Sequence, residues 1–334
     1  MRNLKVDIHS HVTSPDIIGK AGKYGPERTI DDEGRVTFRV GPYASRSEPG
    51  KGLIPNPQGP NPVARLEGMD QNGIDVMGVT VSPLCYMYWA EPEVGVPFAT
   101  TVNNSLAKFC SVNPDRLFFI PTVPLQDIDA SIKELDRSIA MGGKGLNIGT
   151  DSIAGRNLDD ESLLPLFEKI AKYDMPVFLH PYPSGIETGQ MDRYNLSWIT
   201  GYVHQETVAF CHLTFGGVLD RFPDLKICIP HGGGMVPYQF GRFEYAQSRM
   251  PDVKGKKPLR DYLKNFYFDT IIHDLSARRY LLDFMGADNL LVGSNYLGWD
   301  AVDGFKLVDE LNLSETDHRK ITGENAINLF KLKH

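Results

Sequence analysis

The chain has 334 residues, of which 41% are hydrophobic and 23% are charged, and its formal net charge is −7. This composition is typical of a folded globular protein, and the acidic balance argues against nucleic acid or an anionic membrane as the main partner. No apolar run approaches the roughly 18 residues of a membrane-spanning helix and no signal-peptide pattern is visible, so we expect a cytoplasmic protein without a membrane partner.

Eight short apolar runs, separated by longer amphipathic stretches, follow one another along the chain. The predicted strands are residues 4–8, 75–82, 117–123, 143–149, 176–180, 226–230, 266–270 and 289–293, and the predicted helices are 97–112, 127–141, 161–173, 205–220, 235–248, 275–285, 302–311 and 314–332. Strands that are apolar on both faces and alternate with helices indicate a parallel sheet covered on both sides. Eight of them favour a distorted (β/α)8 TIM barrel over an open doubly wound sheet, so we take residues 1–334 as one α/β barrel domain.

Residues 13–62 depart from this alternation, because they follow the first strand and are rich in Gly, Pro, Arg and Asp. A structureless loop of that length is uncommon inside a compact domain, and the stretch TIDDEGRVTFRV has the pattern of a hairpin. We therefore predict a small inserted subdomain that lies like a lid over the mouth of the barrel.

Histidines close three of the eight predicted strands. His9 and His11 leave the carboxyl end of the first strand on the same face, while His180 ends the fifth strand and His231 the sixth. Barrel active sites lie at this end, where imidazoles can share a transition metal and Asp7 can orient a ring. We predict that His9, His11 and His180 bind a metal and that His231 is a general acid or base beside it. The alternative for each ring is an ordinary hydrogen bond to a loop or turn.

Two arginines and a tryptophan fit a carboxylated substrate. Arg39, in VTFRV, and Arg242, shortly after the HGGG turn, carry guanidinium groups that can hold a carboxylate bidentately. Trp198 is a candidate for the aromatic wall against which a flat conjugated substrate packs. Surface ion pairs for the arginines and core packing for Trp198 are the alternatives.

Together the motifs resemble the amidohydrolase superfamily, and within it the branch of metal-dependent decarboxylases typified by 2-amino-3-carboxymuconate-6-semialdehyde decarboxylase. The resemblance extends through DIHSH (7–11), RLEGMDQNGID (65–75), RLFFIPTVPLQD (116–127), VFLHPYP (177–183), FGGVLDRFPDLKICIPHGGG (215–234) and ITGENAINLF (321–330). It implies a barrel with Zn²⁺, or Mn²⁺, held by His9, His11 and His180, and a catalytic role for His231.

The same resemblance assigns Arg39, Arg242 and Trp198 to substrate binding. It also implies a homodimer in which an arginine enters the site from the neighbouring subunit.

The chain departs from this branch at Asn295. The family has an aspartate in the corresponding motif GSDYP, on the metal or its water, whereas this chain reads GSNYLG. An amide oxygen can still coordinate a metal, so Asn295 stays among the predicted ligands and catalytic residues, but it cannot carry charge or take a proton. The site is then expected to be one unit more positive, and proton handling passes to His231. A changed reaction, an engineered replacement and an inactive relative are the three explanations, and the otherwise intact set of residues argues against the last.

These residues predict a non-oxidative decarboxylase of a small conjugated carboxylic acid, dienoic or aromatic, from aromatic-compound catabolism. A metal-activated water and His231 would handle the protons. A metal-dependent C–C bond hydrolase or hydratase of a ring-cleavage product is the alternative, because a more positive metal site favours hydroxide. An inactive ligand-binding relative is the third interpretation.

Overall fold

A computed structural model describes residues 3–47, 61–150, 155–182, 189–191, 193–296, 298 and 300–333. The strands in it are β1 (Val6–Asp7), β2 (His11–Val12), β3 (Glu27–Ile30), β4 (Val36–Val40), β5 (Tyr43–Ser47), β6 (Val76–Val81), β7 (Leu117–Phe119), β8 (Leu146–Gly149), β9 (Val177–His180), β10 (Ile227–Ile229), β11 (Phe266–Asp269) and β12 (Leu290–Leu291). The α-helices are α1 (Pro62–Gln71), α2 (Pro92–Cys110), α3 (Ile128–Ala140), α4 (Leu164–Tyr173), α5 (Tyr202–Phe215), α6 (Val218–Arg221), α7 (Val236–Gln247), α8 (Leu275–Met285), α9 (Gly304–Asp309), α10 (Glu315–Arg319) and α11 (Asn325–Phe330). Among the residues described, every helix is too short or too polar to cross a lipid bilayer.

The barrel strands form two parallel sheets. One has the order β1-β6-β2 with β7 also paired to β6, and the other has the order β12-β11-β10-β9-β8. A parallel bridge between Thr122 and Asn147 joins the sheets at one seam. At the other seam the amide of Ile8 donates to the carbonyl of Val292 over 3.0 Å, and Ser10 bridges to Tyr296. This is the predicted distorted barrel, and each of the eight predicted runs contains one of its strands.

Alternate residues of the barrel strands pack on opposite sides. Val76, Phe118 and Phe178 belong to an inner cluster that also contains Phe330 of α11, whose ring lies 5.3 Å from that of Phe118. The residues between them, such as Met77, pack in the larger cluster that includes the helices. Strand residues are therefore apolar on both faces, as expected for a covered parallel sheet.

The terminal helical segment closes the amino-terminal end of the barrel. Its Gly323 lies directly against the carbonyl of Leu4, which precedes β1. Ser314 caps α10 by accepting a hydrogen bond from the amide of Asp317, as the sequence predicts, and a π-helical turn, Lys320–Glu324, links α10 to α11. Barrel enzymes carry their active sites at the opposite, carboxyl-terminal end.

The insertion after the first strand contains a small antiparallel sheet. Strand β3 pairs with β4, and β4 pairs with β5, so the predicted hairpin is present. Residues 48–60 of the predicted insertion lie outside the described residues. The sheet is anchored at Trp89, whose ring packs edge-on against Tyr24 at 4.9 Å and against Tyr43 at 6.3 Å. Since Trp89 lies in the loop after β6, this anchor is on the carboxyl-terminal side of the barrel.

Three helix boundaries differ from the predictions. Helix α1 was not predicted; Asn61 caps it by accepting hydrogen bonds from the amides of Val63 and Ala64. Helix α2 begins at Pro92 rather than at residue 97, and Pro97 lies within its first turns. The predicted helix 205–220 is divided into α5 and α6, because Gly217 adopts a φ of 78° that ends the first helix.

Candidate metal centre

Three of the predicted strand-end histidines converge at the carboxyl-terminal end of the barrel. His9 lies in the break between β1 and β2, His11 is the first residue of β2, and His180 is the last residue of β9. One ring nitrogen from each lies within 4.8 Å of the others, and Nε2 of His9 is 3.3 Å from Nε2 of His11. The strand-end pattern therefore identified residues that are far apart in sequence and close together in the fold.

Each of these imidazoles is held by a hydrogen bond at its Nδ1 atom. Nδ1 of His9 lies 2.8 Å from Oδ2 of Asp269, and Nδ1 of His11 lies 2.8 Å from Oγ1 of Thr80. Nδ1 of His180 donates to the carbonyl of Pro181 over 2.7 Å. A carbonyl only accepts, so the neutral His180 ring carries its proton on Nδ1 and leaves a lone pair on Nε2.

The donor set fits a transition metal. Nε2 of His180 is buried and has no hydrogen-bond partner among the described residues, which is costly unless something binds it. Burial, reinforced by the neighbouring histidines, holds the pKa of His11 and of His180 well below the usual range, so both rings are neutral. Neutral imidazole with its second nitrogen anchored is the form that ligates Zn²⁺ and related ions.

His231 lies beside the three rings and is paired with a buried glutamate. Its centroid is 5.4 Å from that of His9 and 5.8 Å from that of His180, and its Nδ1 is 2.6 Å from Oε1 of Glu206. Burial lowers the pKa of His231, but the carboxylate of Glu206, with Asp269 and Asp300 farther away, raises it to about 9. The ring is therefore protonated at neutral pH in the protein without metal, and its Nδ1 is engaged by Glu206.

Asn295 follows the last barrel strand, β12, and lies next to the first strand segment, since the amide of its neighbour Tyr296 donates to the carbonyl of His9 over 3.4 Å. It is 4% exposed, its Nδ2 donates to Oδ1 of Asp300, and its buried Oδ1 has no partner among the described residues. Its neighbour Ser294 donates through Oγ and through its amide to Asp7. Asp7 thus connects the first and last strands, and it is Asp269, not Asp7, that orients an imidazole ring.

The predicted tryptophan is separated from the histidines by one tyrosine. Trp198 lies in a π-helical turn, Ser197–Gly201, and stacks on Tyr202 with a centroid distance of 5.6 Å and an angle of 20°. Tyr202 in turn packs edge-on against His180 at 6.0 Å. Trp198 and Tyr202 therefore form one continuous aromatic surface that reaches the histidine cluster.

The two predicted arginines form no hydrogen bond with this cluster in the single chain. Arg39, on β4, pairs with its cross-strand neighbour Glu27 over 2.6 Å and donates to the carbonyl of Gly41. Arg242, the second of them, is exposed on α7 and forms no hydrogen bond or ion pair with a described residue. A substrate role for either guanidinium therefore requires a movement of its segment or a second subunit.

Sequence reasoning missed three residues that support the site. Asp269 ends β11 and so carries the same strand-end signal as His180. Thr80 lies within the apolar run of β6, and Glu206 lies on α5, which is buried at that position. Neither carries a local sequence signal, because each is defined by the ring that it contacts.

Comparisons with known proteins give consistent results. The family model described as Amidohydrolase matches residues 6–332. The 2-amino-3-carboxymuconate-6-semialdehyde decarboxylase of Dictyostelium discoideum is 31% identical over 99% of this chain and 92% of that protein. The 2-keto-4-carboxy-3-hexenedioate hydratase of Sphingobium sp. is 29% identical over 72% of this chain and 73% of its own length. A crystal structure of 5-carboxyvanillate decarboxylase from Novosphingobium aromaticivorans, with bound manganese, has a TM-score of 0.80 at 23% identity, covering 98% of this chain and 97% of that one.

Proposed function

Because this chain belongs to the amidohydrolase family, we propose that it is a metal-dependent, non-oxidative decarboxylase of a small conjugated carboxylic acid, dienoic or aromatic. The observation that carries the proposal is the cluster of His9, His11 and His180, which lies beside the pair of His231 and Glu206. The semialdehyde decarboxylase relative, at 31% identity over nearly the whole chain, supports a carboxy-lyase.

In this proposal His9, His11 and His180 hold the metal, and the Oδ1 atom of Asn295 is a further ligand. Zn²⁺ and Mn²⁺ both suit the site, since imidazole binds either and a related structure contains manganese. When bound, the ion acts as a Lewis acid that withdraws electron density from an oxygen of the substrate.

The proton is supplied by His231. Glu206 holds Nδ1 and keeps the ring charged, so Nε2 can donate to the carbon that bears the carboxylate. The electron pair of the C–C bond then returns to the conjugated system as CO2 leaves, and His231 regains its proton from solvent. The Asn295 amide cannot take part in this transfer, because it has no titratable proton.

The substrate carboxylate is bound by arginine in this proposal, and the conjugated part packs on Trp198 and Tyr202. The inserted sheet is anchored on the carboxyl-terminal side of the barrel, so it serves as a lid that carries Arg39. When the substrate binds, Arg39 breaks its ion pair with Glu27 and pairs with the substrate carboxylate instead.

Arg242 acts across a homodimer. Its helix, α7, and the residue before it present an exposed face that contains Met235, Tyr238 and Tyr245, which are 38%, 49% and 63% exposed. Spacings of three and four residues place these side chains and Arg242 on one face of the helix. A second copy packed on this face would cover the apolar groups and carry each Arg242 toward the neighbouring site.

Hydrolysis or hydration is the second candidate. The hydratase relative, at 29% identity, and the loss of the family carboxylate at Asn295 both favour it. A ligand-binding protein without turnover is the third, and it predicts metal or ligand binding without product.

The test is product analysis with the metal-loaded protein. Aromatic and dienoic acids labelled with ¹³C at the carboxylate are incubated with the parent and with His231→Ala, and ¹³CO2 is measured beside hydrated or cleaved products. His204→Ala, an exposed histidine of α5, is the matched control. We expect ¹³CO2 from the parent and the control only; hydrated or cleaved product without ¹³CO2 would support the second candidate and reject the decarboxylase.

A further inference from the structure

Position 295 is where this chain departs from its family, and the conformation there is unusual. Asn295 has a φ of 46°, in the left-handed region that asparagine tolerates better than most residues. Position 298 requires glycine, because a Cβ there would overlap the Oδ1 atom of Asn295. The amide is therefore enclosed by its own turn and cannot rotate freely.

Asn295 is bonded to a carboxylate five residues farther along. Its Nδ2 donates to Oδ1 of Asp300, which fixes the orientation of the amide and leaves Oδ1 of Asn295 buried without a partner in the described chain. An aspartate at position 295 could not donate this hydrogen bond in its ionised form. The pairing thus requires the amide that the sequence contains.

Among the described residues, no cation is paired with Asp300. No described lysine, arginine or histidine lies within ion-pair distance of it, although it is partly buried. Its charge acts on the groups that surround the histidine cluster: Asp300 contributes to raising the pKa of Tyr202, of Glu206 and of His231. The amide of Tyr296, the residue after Asn295, donates to the carbonyl of His9 over 3.4 Å, so the carboxylate that Asn295 holds lies beside the histidine cluster.

We propose that Asp300 supplies the negative charge that the family keeps at position 295, and that Asn295 is the residue that positions it. The pair divides one function between two side chains: the buried amide oxygen would be a ligand of the metal, and the amide nitrogen holds the carboxylate of Asp300. The site then has the same net charge as the corresponding site of its relatives, and Asn295 is a functional residue. This inference rests on the metal centre of the proposed function, not on the identity of the substrate.

The test is Mn²⁺ binding measured by calorimetry on the full chain after treatment with chelator. Asp300→Asn removes the charge and is expected to weaken binding by about tenfold or more, the effect of losing a group that supports a metal site. The double variant Asn295→Asp with Asp300→Asn moves the charge to the family position and is expected to restore affinity to within about threefold of the parent. Asp303→Asn is the matched control, because this residue caps α9 in the same segment and asparagine caps equally well.

Unchanged Mn²⁺ affinity in Asp300→Asn would overturn the inference, and so would a double variant as weak as Asp300→Asn. Circular dichroism and thermal unfolding establish that the variants are folded. Failure of this inference and failure of the proposed function are distinct results. A parent that binds Mn²⁺ but releases no CO2 rejects the decarboxylase and leaves the role of Asp300 open to the same titration, whereas a parent that binds no Mn²⁺ rejects both.

Discussion

Nδ1 of His9 lies 2.8 Å from Oδ2 of Asp269, and both side chains are completely buried although 260 residues separate them. The other oxygen of Asp269 accepts from the amides of Gly232 and Ile271. The carboxylate therefore orients the ring of His9, a proposed metal ligand, while being held by the loops after β10 and β11.

Asp269→Asn should lower metal affinity about 10- to 100-fold, since the imidazole loses the acceptor that directs its Nε2 atom. Calorimetric titration with Mn²⁺ measures the change. Asp309→Asn is the control, because it removes the carboxylate partner of the partly exposed His318, 2.7 Å away, and should leave metal binding unaltered. Equal affinities for the Asp269 variant and the parent would contradict the role given to this contact.

His180→Ala and His231→Ala should differ in metal content. The first removes a nitrogen with no other partner among the described residues and should leave less than about one-tenth of the metal, while the second should retain metal and lose turnover. Metal analysis of the purified proteins, together with assays of product formation, distinguishes the two. Equal metal loss in both variants would mean that His231 is itself a ligand.

Glu206→Gln should change how stability depends on pH in the chelator-treated protein. The folded-state pKa of His231 is about 9, above its ordinary value of 6.5, so its protonation stabilises the fold fully below pH 6.5 and this stabilisation is lost as the pH rises through about 9. The variant should lose most of this dependence, because the carboxylate that raises the pKa is gone.

Thermal unfolding measured from about pH 6 to 10 checks this expectation. Asp159→Asn is the control: it breaks the partly exposed pair with His212, at 2.8 Å, where solvent screening limits the contribution to about 0–1 kcal/mol. Parallel pH profiles of Glu206→Gln and the parent would show that the carboxylate does not control His231.

Arg39→Ala should raise KM for a carboxylated substrate about tenfold or more, the order expected when a charge-assisted pair is lost. Steady-state kinetics measure it. Arg46→Ala, on the adjacent strand β5 and paired with Asp31, tests whether disturbing the same small sheet has a comparable effect. An unchanged KM for Arg39→Ala would remove this residue from the substrate site.

Asn295→Asp alone should not raise turnover by more than about threefold. With Asp300 retained, it places two carboxylates in contact, and such a pair cannot readily hold both charges. The kcat of this variant is compared with that of the parent under the same metal loading. A large gain would identify Asn295 as damage to an ancestral site.

Much of the fold was predictable because strands that are buried on both faces appear in the sequence as short continuous apolar runs. All six residues of β6 are buried, as its continuous apolar run indicates, and His180 follows directly from such a run. Helix α1 was missed since its face is weakly apolar, and its start depends on the cap that Asn61 provides. Residues that support the site from distant parts of the chain could not be predicted, for a different reason. Glu206 and Thr80 acquire their roles only from His231 and His11, the rings that folding brings to them.

The hydrogen bond from the amide of Ile8 to the carbonyl of Val292 joins the first barrel strand to the last one translated. Asp269, which contacts His9, lies 260 residues later in the chain, so the set of groups around the site is complete only after this seam has closed. An ion that binds the complete set would therefore stabilise the closed barrel by mass action.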